Sequence, residues 1–293
     1  MSRAMVAGAV LLLAMRDARA QDRPPQTIER RRSVASDVAL KIWIPAGTVR
    51  LIGWDHDSLA VEGTIPAGES FFFGGSDQGV KMGIEDPPPN RVSAPATLVI
   101  HVPKRSRLSV KTVSGDIVGQ DVSGWFNTVG GRIQLAGRAR EVQAETLDGA
   151  IDLNVAAPWV RARTGSGRLT LAGTVEDLSA STVSGNLSVS SGGIERGKLE
   201  SISGPIVFSA VPARAAVVDF DNHSGAVEIR LAGDVAADVE LTTVAGSITN
   251  RLNTRKPIAG RQGRGQELAF ATDVNGARIS ARTFKGHILL ARR

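Results

Sequence analysis

The sequence predicts an all-β protein, a single-domain parallel β-solenoid (β-helix) with two short strands per coil of about 18–21 residues. Three observations support this fold class. A short unit of the type Thr-x-Ser-Gly-x-Ile/Leu recurs along the chain, its glycines are regularly spaced, and apolar residues alternate with polar ones on both sides of it. The 32 glycines and the aromatic content of 4% also favour β-structure with many tight corners.

The repeated unit is a turn flanked by two strands. Its glycines lie 16 to 21 residues apart, except for a last gap of 40 residues, and this period is typical of a solenoid. A unit of this size cannot bury its own apolar face, so neighbouring units must stack. The units begin at Thr112, Thr128, Thr146, Thr164, Thr182, Ser201, Asn222, Thr243 and Thr283.

Alternation around the unit predicts which side chains face inward. With the first residue of the unit as position 0, positions −4, −2, +5 and +7 are mostly apolar, as in Val142, Ala144, Ile151 and Leu153. We expect the glycine at +3 to require a positive φ. We expect the threonine at 0 to stack on its counterpart in the next coil, and the residue at +1, mostly valine, to tuck beneath the corner.

The first residues have the pattern of an export signal. Arg3 precedes a short apolar stretch over residues 5–14, and Ala18-Arg19-Ala20 predicts cleavage near Ala20-Gln21. The chain has no cysteine, which excludes disulfides and a lipid-bearing cysteine, and no later segment is apolar enough to span a bilayer. We therefore expect a periplasmic, secreted or cell-surface protein. The full chain has a formal net charge of +6, and the 32 basic and 28 acidic residues that remain after the predicted cleavage give +4, which suits anionic surfaces.

The chain divides into four expected parts. Residues 1–20 form the signal peptide, 21–35 a disordered segment, 36–107 an N-terminal β-strand and cap region, and 108–293 the solenoid repeats. In the cap region, alternation predicts strands over residues 39–44, 49–53, 59–62 and 96–103. A Gly- and Arg-rich loop at 254–266 interrupts the repeats, after which residues 267–274 and 276–290 are expected to resume strands and close the stack.

Three stretches of the chain carry a family resemblance. They are GTVRLIGWDHDSLAVEG from residue 47, LVIHVPKRSRLSVKTVSGDI from residue 98, and GARISARTFKGHI from residue 276. With these stretches the chain resembles, over about residues 36–293, a bacterial envelope family of adhesin-like proteins with a domain of unknown function. The resemblance implies an exported β-solenoid and transfers no catalytic residue.

No catalytic, cofactor or metal constellation is evident, so the sequence predicts a non-catalytic envelope protein that binds or scaffolds. Its expected partner is an anionic envelope polymer, a glycan or another envelope protein, and not a nucleic acid; the oligomeric state stays open.

One alternative is a polysaccharide-cleaving enzyme on the same solenoid, for which Asp116, Asp148 and Asp152 are the candidate carboxylates. Another is a structural or sensory component that binds a protein through its phenylalanines. The candidate binding residues are Phe71, Phe72, Phe73, Arg255, Lys256, Arg261 and Arg264.

Overall fold

The computed structural model describes residues 24–85, 93–232, 235–260, 263–273 and 275–293, and these residues contain no α-helix. The predicted signal peptide lies outside them. The strands are β1 (Gln26–Ser33), β2 (Ala39–Ile44), β3 (Gly47–Trp54), β4 (Ser58–Ile65), β5 (Phe71–Gly75), β6 (Gly79–Ile84), β7 (Ala96–Pro103), β8 (Arg107–Thr112), β9 (Asp116–Gln120), β10 (Gly124–Thr128), β11 (Ile133–Arg138), β12 (Glu141–Thr146), β13 (Ile151–Thr164), β14 (Leu169–Thr182), β15 (Leu187–Val189), β16 (Gly192–Ser201), β17 (Ile206–Phe208), β18 (Val211–Asn222), β19 (Val227–Leu231), β20 (Ala237–Thr243), β21 (Ser247–Asn250), β22 (Ile258–Ala259), β23 (Gln266–Ala271), β24 (Ala277–Thr283) and β25 (His287–Arg292).

Parallel pairing between coils builds two ladders, one from the strands before each Thr-x-Ser-Gly corner and one from the strands after it, which confirms the predicted solenoid. β13 and β14 run through from the second ladder into the first ladder of the next coil. In spatial order the first ladder is β6, β2, β8, β10, β12, β13, β14, β16, β18, β24, β20, and the second is β7, β3, β9, β11, β13, β14, β15, β17, β19, β25, β21.

The core lies between the two ladders. Like residues stack in columns, as Ile133, Ile151 and Leu169 do at position +5, and all three are fully buried. Across the core, the rings of Phe208 and Phe220 meet edge to face with centroids 5.2 Å apart. Burial of this apolar surface, at roughly 25 cal/mol per Å², stabilises the stack.

The last unit of the chain does not close the stack. β24 lies between β18 and β20, and β25 lies between β19 and β21. The strands β20 and β21, which come next in the chain after β18 and β19, thus form the outermost coil. The C-terminal strands β24 and β25 form the coil between the two. The expectation that residues 276–290 close the stack is therefore wrong. The stretch of residues 267–274 was also expected to close the stack, and β23, which lies largely within it, does cover the exposed edge of β20 in antiparallel pairing.

The N-terminal end has the same arrangement. The coil formed by β2 and β3 lies inside the coil formed by β6 and β7, although it comes first in the chain. Antiparallel strands β5 and β4 cover this outer coil, and β1 pairs with β4. The expectation of disorder over residues 21–35 is thus wrong for Gln26–Ser33, because β4 offers this polar segment a full edge of backbone partners and Ile28 is buried.

Candidate functional site

In most corners the side chain at position 0 accepts the N–H of the glycine at +3, whereas the buried Ser201 hydroxyl has no hydrogen-bond partner among the described residues. In the coil of Thr182, the hydroxyl accepts the Gly185 N–H at 2.9 Å and donates to the Gly165 carbonyl oxygen of the neighbouring coil at 3.2 Å. Asn222 replaces the threonine in its own coil and accepts the Gly225 N–H through its side-chain oxygen at 2.6 Å. The expected stacking of these buried residues is present: the hydroxyl of Thr112 donates to that of Thr128 at 2.7 Å.

The glycine at +3 is required by a close approach and not by its φ. None of the repeat glycines has a positive φ, so that expectation is wrong. A Cβ on Gly167 would lie 1.8 Å from the carbonyl oxygen of Gly149 in the neighbouring coil. The corner loops therefore stack backbone on backbone, which only glycine permits.

Replacing the corner threonine tests this account. Thr182→Val keeps the shape of the side chain but leaves the buried Gly185 N–H without its acceptor, so we expect a loss of about 1–3 kcal/mol in the free energy of unfolding. Thr182→Ser, which keeps the hydroxyl, is the matched control and should lose less. Urea unfolding of both variants measures the difference, and equal losses would contradict the role of the hydroxyl.

The residue at +1 does not tuck beneath the corner as expected; it points into solvent. Because position 0 faces inward, the following side chain faces outward. Seven large apolar side chains are 43–58% exposed at this position, and they form what we name the corner ridge. The members of the corner ridge are Val113, Val129, Leu147, Val183, Ile202, Phe284 and Val244.

The corner ridge lies along one row of nine corner positions on the solenoid. Its backbone continues the ladder pairing: the Val129 N–H donates to the Val113 carbonyl oxygen, and the Leu147 N–H to that of Val129, each at 3.1 Å. Gly165 and His223 occupy the remaining two places, and the His223 ring stacks on Phe284 with centroids 5.1 Å apart. Eight steps of about 4.8 Å make the row about 38 Å long.

The three consecutive phenylalanines do not form one patch. Phe71 and Phe73 pack against the hydrophobic core and cover the end of the stack. Phe72, between them, faces the opposite way and lines a cavity of about 630 Å³ together with Lys41 and Lys81. Phe73 borders the same cavity from its core-facing side, so Phe72 is the residue of this stretch that faces outward beside the two lysines.

The predicted basic residues lie at the far end of the solenoid. Arg255, Lys256 and Arg264 are exposed, and Arg261 lies outside the described residues. The Asn250 side-chain amide donates to the Arg255 carbonyl oxygen at 2.8 Å and shapes this loop. Because the phenylalanines cap the other end, the two predicted groups of binding residues do not come together.

A sequence comparison with known families settles the relationship. The family model of Toastrack DUF4097, a domain of unknown function, matches residues 53–276. The chain belongs to this family. No curated protein matches the chain at a significant level.

Solved structures similar to this Toastrack chain come from several bacteria. A putative adhesin from Bacteroides fragilis is 12% identical, with 90% of this chain and 97% of that one covered and a TM-score of 0.45. A putative lipid binding protein from Parabacteroides distasonis is 13% identical, with 93% and 98% covered and a TM-score of 0.43. A putative cell adhesion protein from Clostridium sporogenes is 9% identical, with 92% and 100% covered and a TM-score of 0.26.

The candidate carboxylates of the Toastrack chain make contacts between coils. Asp116 accepts the Arg132 N–H at 2.8 Å, Asp148 accepts the Ser166 hydroxyl at 3.0 Å, and Asp152 pairs with Arg168 at 3.2 Å. Asp152 also lines an open groove of about 610 Å³ on the second ladder. In the described residues, no group of three or more His, Asp or Glu could hold a metal ion. No helix there is long and apolar enough to cross a membrane.

Some surface lysines are paired with carboxylates. A hydrogen bond to Asp55 raises the pKa of Lys104, with the ammonium 2.6 Å from the carboxylate. A hydrogen bond to Glu200 similarly raises the pKa of Lys198. None of the ion pairs found in the described part of the chain includes Lys41, Lys81 or Lys111. These three lysines therefore present a positive charge to solvent.

Proposed function

We propose that this Toastrack protein is a non-catalytic binding or scaffolding protein of the bacterial cell envelope. It is exported by the signal over residues 1–20 and presents the corner ridge to another envelope protein. The observation behind the proposal is the exposure of the corner ridge. A soluble protein rarely exposes this many large apolar side chains along one row unless the row contacts a partner.

The corners do not need large apolar side chains for their own structure. Gly165 and His223 occupy the same position in two coils, and the backbone pairing continues through both. The corner hydrogen bonds use position 0 and the glycine at +3, as in Thr182 and Gly185. The corner structure therefore does not account for the large apolar side chains of the ridge, whereas contact with a partner does.

Three substitutions at the centre of the ridge test the proposal. We expect the triple variant Leu147→Ser, Val183→Ser, Ile202→Ser to bind isolated envelope fractions about tenfold more weakly or worse, because the partner loses its apolar contact. Retention of the labelled, processed protein on envelope fractions of the producing bacterium measures this. Fractions treated with protease should lose binding as well, because the partner is a protein.

The control variant carries valine-to-serine substitutions at exposed positions outside the ridge. Val211 and Val217 are 41% and 40% exposed but lie outside the ridge, so Val211→Ser, Val217→Ser should bind like the unchanged protein. Circular dichroism should show the same β-spectrum for all three proteins. If the unchanged protein is not retained by any fraction, the proposed function is wrong. If the ridge variant is retained as well as the control, the ridge is not the contact surface.

The two alternatives from the sequence remain hypotheses. Cleavage of an acidic polysaccharide that is lost in Asp152→Asn would favour an enzyme, and the groove beside Asp152 is the place where such a chain would lie. The carboxylates of Asp116 and Asp152 are, however, held by neighbouring coils, which favours a structural role. Loss of a protein partner on replacement of Phe71–Phe73 would favour the sensory alternative.

A further inference from the structure

The outer face of the first ladder near the N-terminal end combines lysines and aromatic rings. Lys81 on β6 lies directly beside Lys41 on β2, and on the next strand, β8, Lys111 lies beside Trp43. Phe72 and Trp43 flank Gly83 on the two neighbouring strands. We name the cavity bounded by Lys41, Lys81 and Phe72 the lysine groove.

Small residues open the lysine groove. Its remaining lining is Ala39, Phe73, Gly74, Gly75, Gly79 and Val80, so at three positions no side chain fills the space. The cavity of about 630 Å³ is within the range of small-ligand sites. The aromatic ring of Phe72 in this lining suits a sugar ring, whose apolar face packs on aromatic side chains.

The paired lysines cost stability in the free protein. Like charges directly beside each other on neighbouring strands repel, and Lys41 and Lys81 are both exposed and in register. In the described residues neither lysine forms an ion pair, in contrast to Lys104 and Lys198. An anion bound between Lys41 and Lys81 would relieve this repulsion.

We infer that the lysine groove binds an acidic polysaccharide with a carboxylate on each sugar, that is, a polymer of uronic acid. This inference rests on the proposed binding function and adds a second surface to it. Lys81 and Lys41 lie in register, one ladder step of about 4.8 Å apart, and Lys111 lies on the next strand, two residues further along, so the three charges spread over three neighbouring strands. A polymer that carries a charge on every unit can reach all three lysines, which a single phosphate cannot.

The aromatic rings complete the site. A carboxylate attached to the sugar ring stays near the ammonium groups while the ring packs on Phe72, because Phe72 lines the same cavity as both lysines. The Lys111 ammonium lies 4.6 Å from the centroid of the Trp125 ring and extends the positive surface beyond the groove. Binding should therefore weaken with salt, since exposed charges are screened.

Isothermal titration with an oligogalacturonate of four to six sugars tests the inference on the processed chain. We expect Lys41→Gln, Lys81→Gln to bind about tenfold more weakly or worse and to lose most of the salt dependence. Lys81→Glu should also abolish binding, because the new carboxylate pairs with Lys41. Both variants should melt at a higher temperature than the unchanged protein, which a purely structural role of the lysines would not produce.

Two controls test whether binding depends on the position of the lysines in the protein and on the charge of the oligomer. Arg255→Gln, Lys256→Gln removes the same charge at the far end of the solenoid and should leave binding unchanged. The methyl-esterified oligomer, which has the same rings without charge, should not bind. Equal binding of the ester, a larger effect of the Arg255 and Lys256 variant, or binding of inorganic phosphate with no binding of the oligomer would each overturn the inference. If the oligomer does not bind but envelope fractions do, the inference is wrong and the proposed function stands.

Discussion

A protein with alanine in place of Gly167 is expected to lose more than about 4 kcal/mol in the free energy of unfolding, enough to prevent folding in a domain of ordinary stability. The new Cβ would lie 1.8 Å from the Gly149 carbonyl oxygen, and the obstacle is backbone, which cannot move aside as a side chain can. Coils on both sides hold that backbone in place. Chemical denaturation, or the yield of soluble protein if folding fails, measures the effect.

Gly130 provides the matched control for this substitution. It lies in a corner of the same kind, but a Cβ there would meet no atom within 4 Å and its φ is not positive. Gly130→Ala should therefore change the free energy of unfolding by less than about 0.5 kcal/mol. If Gly167→Ala were as stable as Gly130→Ala, the close backbone stacking of the corners would be refuted.

Removal of residues 275–293 is expected to abolish cooperative folding. The deleted coil lies inside the stack, so its loss leaves β20 without a parallel partner and β18 with a parallel partner on one side only. It also removes the fully buried Ile279, Ile288 and Leu290, each worth about 1.5–3 kcal/mol. Their sum is comparable with the whole stability of a typical domain, about 5–15 kcal/mol. Thermal melting followed by circular dichroism should show no sharp transition.

Further samples test whether folding is lost because the coil is missing or because the chain is shorter. A truncation that ends at Leu290 keeps the inserted coil and should still melt cooperatively. A synthetic peptide of residues 276–293, added to the protein that lacks residues 275–293, should bind between β18 and β20 and restore the transition. A scrambled peptide should not. If the protein that lacks residues 275–293 folded cooperatively without the peptide, this coil would be dispensable.

The two ladders could be predicted because their signal is local and repeated. Period-2 alternation around Thr146 and Thr164 determines which side chains face inward, and the structure buries Val142 and Leu153 accordingly. The strands at Ala39–Ile44 and Ala96–Pro103 follow the same rule. The corner ridge could have been found in the same way, because a buried threonine at position 0 places the next side chain outside.

The order of the coils could not be predicted from the repeats. From the repeats alone, the Thr283 unit could stack outside the Thr243 unit or between the Asn222 and Thr243 units, since all three present the same pattern of inward residues. The choice depends on how β23 and the preceding loop return the chain, which is a long-range matter. The lysine groove was missed for a related reason. Lys41 and Lys81 meet only because β6 pairs with a strand that is not its neighbour in sequence.

The placement of both terminal units one coil inside the stack affects how the molecule comes apart. Repeat arrays usually fray from their ends, where a released coil becomes a free tail with high entropy. Here the outermost coils, β6 with β7 and β20 with β21, are tethered on both sides by chain that is bound deeper in the stack. Opening one of them yields only a closed loop, whose smaller gain in entropy disfavours peeling.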